Sequence, residues 1–594
     1  MKKLTYDVLI KNTKIIDGAR RKYFEADIGI KGEKIVKIGK IDSGANTILD
    51  AKGLVATPGL IDIHSHGDET LLQYPRENSA IMQGITTIVG GNCGFSPAPL
   101  KGTWLLSFWE YDWWHELTPY IYSAPTIQPL DKVREKMKEI YNIDIDWHTL
   151  KEFLNKLEKE GISINYVPLV GHNTIRAQVM EEDYKRKAIK DEIEEMKVMV
   201  KRSMEDGAFG LSTGLDYPPG YYAEKEELVE IVKCIREYGG IYATHWRRTG
   251  LREAGRIKPI EKIRGIEEAI EIGKETGVGV EISHLISGYT VYPEPCSSRI
   301  LIATANETLN VIEKGIDKGV DVTFDVIPNI DGGVLIIPNL ISIFAPLIIE
   351  AGSCEKFVEN LKVKDFRERI KKEIKNGKWW SINPNIDPYW ARKVKILLCK
   401  NKVYNGMTIG KISEKEGKDP IDVIFDIIIE DADTKIEQAL VIEEEVKTFL
   451  KHPKAMVGSD TFVFDKKWSI TGYPPYFLPH PNTYGAFPRF LRKYVKEDRV
   501  LSLEEAISKI TYMPAKRMNI KKRGLIKKGY FADILIFDYK KIGEKGEYIE
   551  PRRYPKGIEY VIVNGEITVM EGQYTGKKAG KILRKNRRCN NDRV

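Results

Sequence analysis

Short apolar, β-prone runs alternate with amphipathic helical stretches through the middle of this chain, and that alternation restricts the fold more than any other feature. The runs are Thr86 to Val89, Ile164 to Leu169, Phe209 to Leu211, Ile241 to Ala243, Val280 to Ile282, Asp321 to Phe324 and Ala455 to Val457. Helical periodicity fills the gaps, as in Lys187 to Met204 and Lys225 to Glu237. Strands separated by helices pair in parallel. Such units repeated over about 450 residues point to an α/β chain with a (β/α)8 barrel of TIM type, longer than the usual ~250 residues and so carrying insertions. The clearest insertion runs from Asp325 to Ala455, with helical stretches near Asp365 to Lys375 and Pro420 to Glu430.

The two ends read differently. Asp7 to Lys11, Lys14 to Ile16, Ala26 to Lys31 and Lys34 to Ile38 have strand character, with Gly32-Glu33 as a tight turn. Ala532 to Phe537 and Tyr560 to Val563 repeat the style, and Asn564-Gly565 signals a hairpin before Glu566 to Met570. The ends are expected to pair into one small β-sandwich. The resulting division is 1–57 for its first part, 58–515 for the barrel, with insertions at about 100–150 and 331–450, and 516–594 for its second part and a basic tail.

With 42% hydrophobic and 30% charged residues the chain is an ordinary globular one. Its net charge of +8 is the small difference between 93 basic and 85 acidic residues, interspersed, so no nucleic-acid partner is implied. The clearest basic run, Lys577 to Arg588, is expected to be a solvated, frayed end. The start, MKKLTYDVLIKN, has no signal-peptide pattern, and a cytoplasmic location is expected. Val334 to Ile349 is apolar but contains Pro338, Asn339 and Pro346 and falls short of the roughly 20 residues of a spanning helix. It reads as a buried or lid-forming segment, and no membrane partner is expected. Six scattered cysteines argue against a disulfide framework. No Walker or Rossmann glycine pattern stands in a strand-to-helix context.

In TPGLIDIHSH, apolar residues lead into His64 and His66, and alternate residues of a strand point to the same side. Two imidazoles therefore aim at one spot, although a lone pair can equally be two surface histidines. Cys93 follows the strand Thr86 to Val89 among glycines that allow close approach; a small buried thiol is the plain alternative. His245 and His284 each end a β-prone run, on the rim where barrel active sites lie. Asp460 ends the last run, with helix capping as its alternative. Nitrogen and thiolate ligands together favour Zn2+. Zinc lowers the pKa of water towards about 7 and polarises a carbonyl, and Asp460 can carry the proton from water to a leaving amine. His172 follows a strand-like run and is a pocket candidate, His480 a substrate-loop candidate.

These motifs resemble the D-aminoacylase (N-acyl-D-amino-acid deacylase) family of the metal-dependent amidohydrolases. The segments TPGLIDIHSHGD, QGITTIVGGNCGFSPAP, VGHNTIR, GAFGLSTGLDYPP, GGIYATHWR, VEISHL, MVGSDT, YGAFPRFL and KKGYFADILIFD stand in the family's order. The resemblance implies a barrel joined to a small β-sandwich, one tight zinc on Cys93, His245 and His284, and a weaker second position near His64, His66 and Asp460. It also marks departures. Where the family holds a substrate carboxylate with lysine, tyrosine and arginine, this chain has Ile286, Ile327 and Asn482. Arg248, in place of the family's acidic residue, is a candidate relocated cation, and Arg247 matches the family. The aromatic stretch Thr103 to Leu117 is either an apolar lid or a packing or subunit surface.

The expected function is zinc-dependent hydrolysis of a linear amide in an N-acyl-amino-acid or peptide-like substrate with altered carboxylate recognition. The alternatives are a cyclic-amide hydrolase of the hydantoinase or dihydroorotase type, disfavoured by the lack of a lysine in the fourth strand, and a non-catalytic scaffold. The expected partner is a small-molecule or peptide-like substrate, and a homo-oligomer is compatible with the sequence.

Overall fold

The computed structural model describes residues 4–585, except 107–126, 249–261, 290–296, 377–388, 440, 466–467, 472–473 and 475. Most of the aromatic stretch Thr103 to Leu117 lies outside the described residues.

Eight parallel segments follow one another in chain order. Leu60–Asp62, Ile85–Gly90 and Asn165–Pro168 form one ladder. Val170–Gly171, Gly210–Gly214, Ile241–His245, Gly279–Ile282, Val322–Val326 and Ala455–Val457 form the next. The third segment is shared between them and breaks at Leu169, whose N–H donates to Gly90. Beyond the last and first segments the backbone is joined again: Asp460 N–H donates to His64 O at 2.8 Å and His66 N–H to Thr461 O at 2.9 Å. The segments are buried almost throughout because both faces are covered; Ile85–Gly90 is buried at every residue. A cluster of Ile61, Val89, Val167, Ala243 and Met456 draws together the first, second, third, fifth and last segments, with Ala515 and Met518 beneath it.

Helices between segments start and stop where the sequence gives them partners. Thr149 opens Leu150–Glu160 with a reciprocal capping box to Glu152, and Gly207 ends Lys190–Asp206 at a φ of 116°. The stretch between Val326 and Ala455 has a core of its own, around Leu340, Phe344, Phe357, Ile370, Val394 and Phe425. Its helices include Lys364–Lys375 and Pro420–Glu430. The apolar run from Val334 feeds Leu340, Ile343, Phe344 and Leu347 into this core, which makes it a buried segment. No helix of the described residues is long and apolar enough to cross a membrane.

The two chain ends form one nine-stranded sheet, joined where Val55–Pro58 pairs antiparallel with Ile534–Phe537. The expected strands Asp7 to Lys11 and Lys14 to Ile16 are a single strand, Leu4–Ile15, with an irregularity between Ile10 and Thr13 where Asn12 takes a φ of 59°. The Asn564-Gly565 hairpin forms with both residues at positive φ.

The basic tail differs from expectation. Residues up to Lys585 are docked: Gly580 N–H donates to Ile162 O, Tyr166 N–H to Lys581 O, Leu583 N–H to Tyr166 O and Lys585 N–H to Gly207 O. Ile582 bridges Tyr166 as a parallel partner. The apolar Ala579, Ile582 and Leu583 pack into the molecule between the lysines, and backbone pairing, indifferent to side-chain charge, does the rest.

Candidate metal centre

His64, Cys93, His284 and Asp460 are buried, and their ligand atoms lie within 4.8 Å of one another. Each stands just past the C-terminal end of a parallel segment, where the ladder stops and side chains converge. Cys93 is the centre: its Sγ lies 3.3 Å from His64 Nε2, 3.6 Å from His245 Nδ1 and 3.4 Å from His284 Nε2. Asp460 Oδ1 is 3.4 Å from His64 Nε2 and 3.3 Å from His66 Nε2. The distances describe two overlapping sets that share Cys93. Donor atoms of a tetrahedral zinc with bonds of about 2.0–2.3 Å are spaced roughly 3.3–3.8 Å apart, so this donor set fits the ion in spacing and in chemistry.

Backbone strain supports the arrangement. Cys93, His284 and Asp460 all have positive φ, at 53°, 36° and 50°, a conformation that costs an L-residue about 1–2 kcal/mol. Local bonds hold Cys93 there: the Tyr217 hydroxyl donates to its carbonyl at 2.6 Å, and Gly94 N–H donates to Ser212 Oγ at 2.9 Å. Gly91 is required because a Cβ would come 2.2 Å from the Leu169 carbonyl oxygen.

Two carboxylates orient the imidazoles. Asp325 Oδ2 is 3.1 Å from His64 Nδ1, and its Oδ1 accepts the His284 backbone N–H at 2.8 Å. Glu69 Oε1 is 2.9 Å from His66 Nδ1. Each turns the remaining ring nitrogen towards Cys93 or Asp460. Asp216 Oδ2 lies 3.7 Å from His245 Nε2, and the Tyr217 ring stands edge-on to His245 with centroids 5.0 Å apart.

Charges follow from this packing. Burial opposes a thiolate on Cys93, but the His64 and His284 rings outweigh it and hold the thiol well below its ordinary pKa. Burial likewise opposes ionisation of Asp460, and hydrogen bonds from His64 and His66 reverse the effect, placing it well below the ordinary carboxylate value. His284 is lowered to about 4 by burial and by the Arg248 charge.

The other sequence candidates lie around this centre in different ways. His172 is fully buried with its Nε2 2.8 Å from Glu227, which also takes Arg176 at 3.0 Å. Arg247 is occupied by Glu268 at 3.1 Å and by the carbonyls of Tyr221 and Ala223 at 2.7 and 2.8 Å. His480 faces Asp331 at 2.9 Å and accepts the Asn482 N–H at 3.0 Å. The Asn482 amide donates to Gly332 O and, at 3.4 Å, to Ser459 O, bracing the turn that carries Asp460. Arg248 sits beside the cluster, with Nη1 3.5 Å from the His284 carbonyl. Ile286 is half-buried and Ile327 buried.

Sequence reasoning did not assign Asp325, Glu69, Asp216 or Tyr217. Glu69 carried a signal, three residues after His66 on the turn that follows the strand. Asp325 carried only its place at a strand end, shared with many aspartates.

Comparison with known proteins finds relatives among amidohydrolases. An amidohydrolase family model matches residues 407–569. The chain is 29% identical to a D-aminoacylase of Alcaligenes xylosoxydans xylosoxydans over 579 residues, 97% of each chain. It superposes on a crystal structure of a D-aminoacylase with a TM-score of 0.68 and 27% identity, covering 98% of this chain and 100% of that one. The N-acyl-D-glutamate deacylase from Bordetella bronchiseptica, solved with zinc and a phosphonate inhibitor, gives a TM-score of 0.65 at 25% identity with the same coverage.

Proposed function

We propose, on the premise that this chain belongs to the amidohydrolases and resembles their D-aminoacylases over nearly its whole length, that it is a zinc-dependent hydrolase of a linear amide bond in an N-acyl-amino-acid or peptide-like substrate. The observation that carries this reading is one cysteine sulfur ringed by three imidazole nitrogens at 3.3–3.6 Å, with the Asp460 carboxylate against the same cluster. The two parallel ladders are read as one closed (β/α)8 barrel, and the terminal sheet as a folded-over β-sandwich beside it.

Cys93, His245 and His284 would hold a tight zinc, and His64, His66 and Asp460 with the shared sulfur a weaker second position. When bound, zinc supplies Lewis acidity that brings the pKa of water to about 7 and polarises a carbonyl. Asp460 accepts the proton of the attacking water and returns it to the leaving nitrogen. His64 and His66 keep Asp460 ionised and aimed, and Asp325 and Glu69 hold those rings in place. Ile286, Ile327 and Asn482 offer no free cation, which supports a carboxylate recognition altered from the family's.

The test is metal analysis of the purified protein by mass spectrometry together with assays on N-acyl-D-amino acids, their amides and dipeptides. The expected result is zinc retained by the wild type, zinc lost from Cys93→Ala, and hydrolysis by the first alone. A wild type that takes up no zinc and cleaves none of these substrates after zinc loading would refute the proposal.

A further inference from the structure

We propose that Arg248 is the residue that receives the carboxylate of the substrate, which makes free-acid N-acyl amino acids the preferred class. The inference rests on the amide-hydrolase reading above and adds to it the group that selects among amides.

Arg247 and Arg248 both follow His245, and among the described residues the second keeps donors to offer. Arg247 is saturated by Glu268 and two carbonyls. Among the described residues Arg248 has a single side-chain hydrogen bond, the long one of 3.5 Å from Nη1 to the His284 carbonyl, and its buried Nε has none. Asp216 holds the side chain loosely: its Oδ1 accepts the Arg248 backbone N–H at 3.3 Å, and its Oδ2 makes a long ion pair with Nε at 3.9 Å. The guanidinium carbon lies 5.9 Å from the Trp246 ring centre. With 15% of its side chain exposed, the cation is largely desolvated and only partly compensated.

Position and substrate geometry agree. In an N-acyl amino acid the carboxylate carbon is three bonds from the carbonyl carbon under attack, a span of at most about 4 Å. A carbonyl held at the Cys93 cluster therefore places the carboxylate within the reach of groups touching His284 and His245. Arg248 touches the first directly and the second through Asp216. A guanidinium presents a planar fork suited to a carboxylate.

The experiment compares an N-acyl-D-amino acid with its amide on zinc-loaded wild type, Arg248→Met and Arg248→Lys. The expected wild type prefers the acid. In Arg248→Met the ratio of kcat/KM for acid over amide falls about 30-fold, the loss lying in KM for the acid. Arg248→Lys, which keeps the charge but not the fork, falls between the two, and it carries the test if the methionine variant does not fold. Equal losses on both substrates, or no loss on either, overturn the assignment by showing a structural role or none. A wild type that cleaves amides alone overturns it while leaving the proposed activity standing. A wild type that cleaves neither removes the activity, and this inference with it.

Discussion

Replacing Asp325 by asparagine tests whether the carboxylate behind His64 sets the chemistry in front of it. The side chain is 1% exposed and serves two donors, the ring of His64 through Oδ2 at 3.1 Å and the backbone N–H of His284 through Oδ1 at 2.8 Å. An amide has one oxygen. Whichever way it is turned, an NH2 group faces one of those donors, and a buried unmade bond costs about 1–3 kcal/mol. If the NH2 faces His64, the ring proton must move to Nε2, the nitrogen that faces Cys93 and Asp460. If it faces His284, the backbone that places the second imidazole is pushed out. Either outcome weakens metal binding, and loss of such an outer partner typically costs about 10–100-fold in affinity, or roughly 1.4–2.8 kcal/mol. Competition against a chelator, with bound zinc read by mass spectrometry, measures the dissociation constant of the ion held by His64. A folded Asp325→Asn protein whose constant stays within about 2-fold of wild type would refute the reasoning.

Two further outcomes are expected. Asp460→Asn should keep the zinc bound by Cys93, His245 and His284 but lose about 100- to 10,000-fold in kcat, and a smaller loss in steady-state assays would place the proton transfer elsewhere. Lys509, enclosed between the carbonyls of His452 and Ala455 at 2.7 and 3.0 Å, is pushed down by burial from 10.5 to about 7. Between those two values the unfolded chain holds a proton that the native one lacks, so stability rises with pH, by up to about 1.4 kcal/mol per unit, and gains nothing below about pH 7 from this group. Lys509→Met should flatten that rise in denaturant unfolding measured from pH 7 to 10; parallel profiles for the two proteins would count against it.

Much of the centre was legible because its ligands sit where strands end. His64 and His66 were found as alternate residues of an expected strand, which in the structure ends at Asp62 just before them, and Cys93, His245, His284 and Asp460 were found by the apolar run that stops at or just before each of them. What the pattern withholds is register. Asp325 serves His64 and His284 only because Val322–Val326 pairs with Gly279–Ile282 on one side and Ala455–Val457 on the other. No local rule predicts which neighbour an aspartate at a strand end will meet. The positive φ values of Cys93, His284 and Asp460 were equally hidden, since cysteine gives no signal of a left-handed turn and the enrichment of histidine and aspartate there is too small to place one. Composition misled at the tail, where lysine content suggested solvent and backbone hydrogen bonds gave a docked segment. The Asn564-Gly565 turn shows the opposite case, a conformation written in two residues.

The docked tail also fixes when this protein can finish folding. Lys581 donates its backbone N–H to the Asn165 side chain at 3.1 Å across 416 residues of chain, and the tail bridges the segment Asn165–Pro168 at Tyr166. A ribosome delivers these partners after every segment of the two parallel ladders, at about 5–20 residues per second. Through tens of seconds of synthesis the nascent chain therefore presents an open edge at Val55–Pro58 and an unfilled seam at Tyr166, the kind of surface that recruits chaperones or other nascent chains. A message truncated near its end would release a polypeptide with every metal ligand in place and its sheets unfinished.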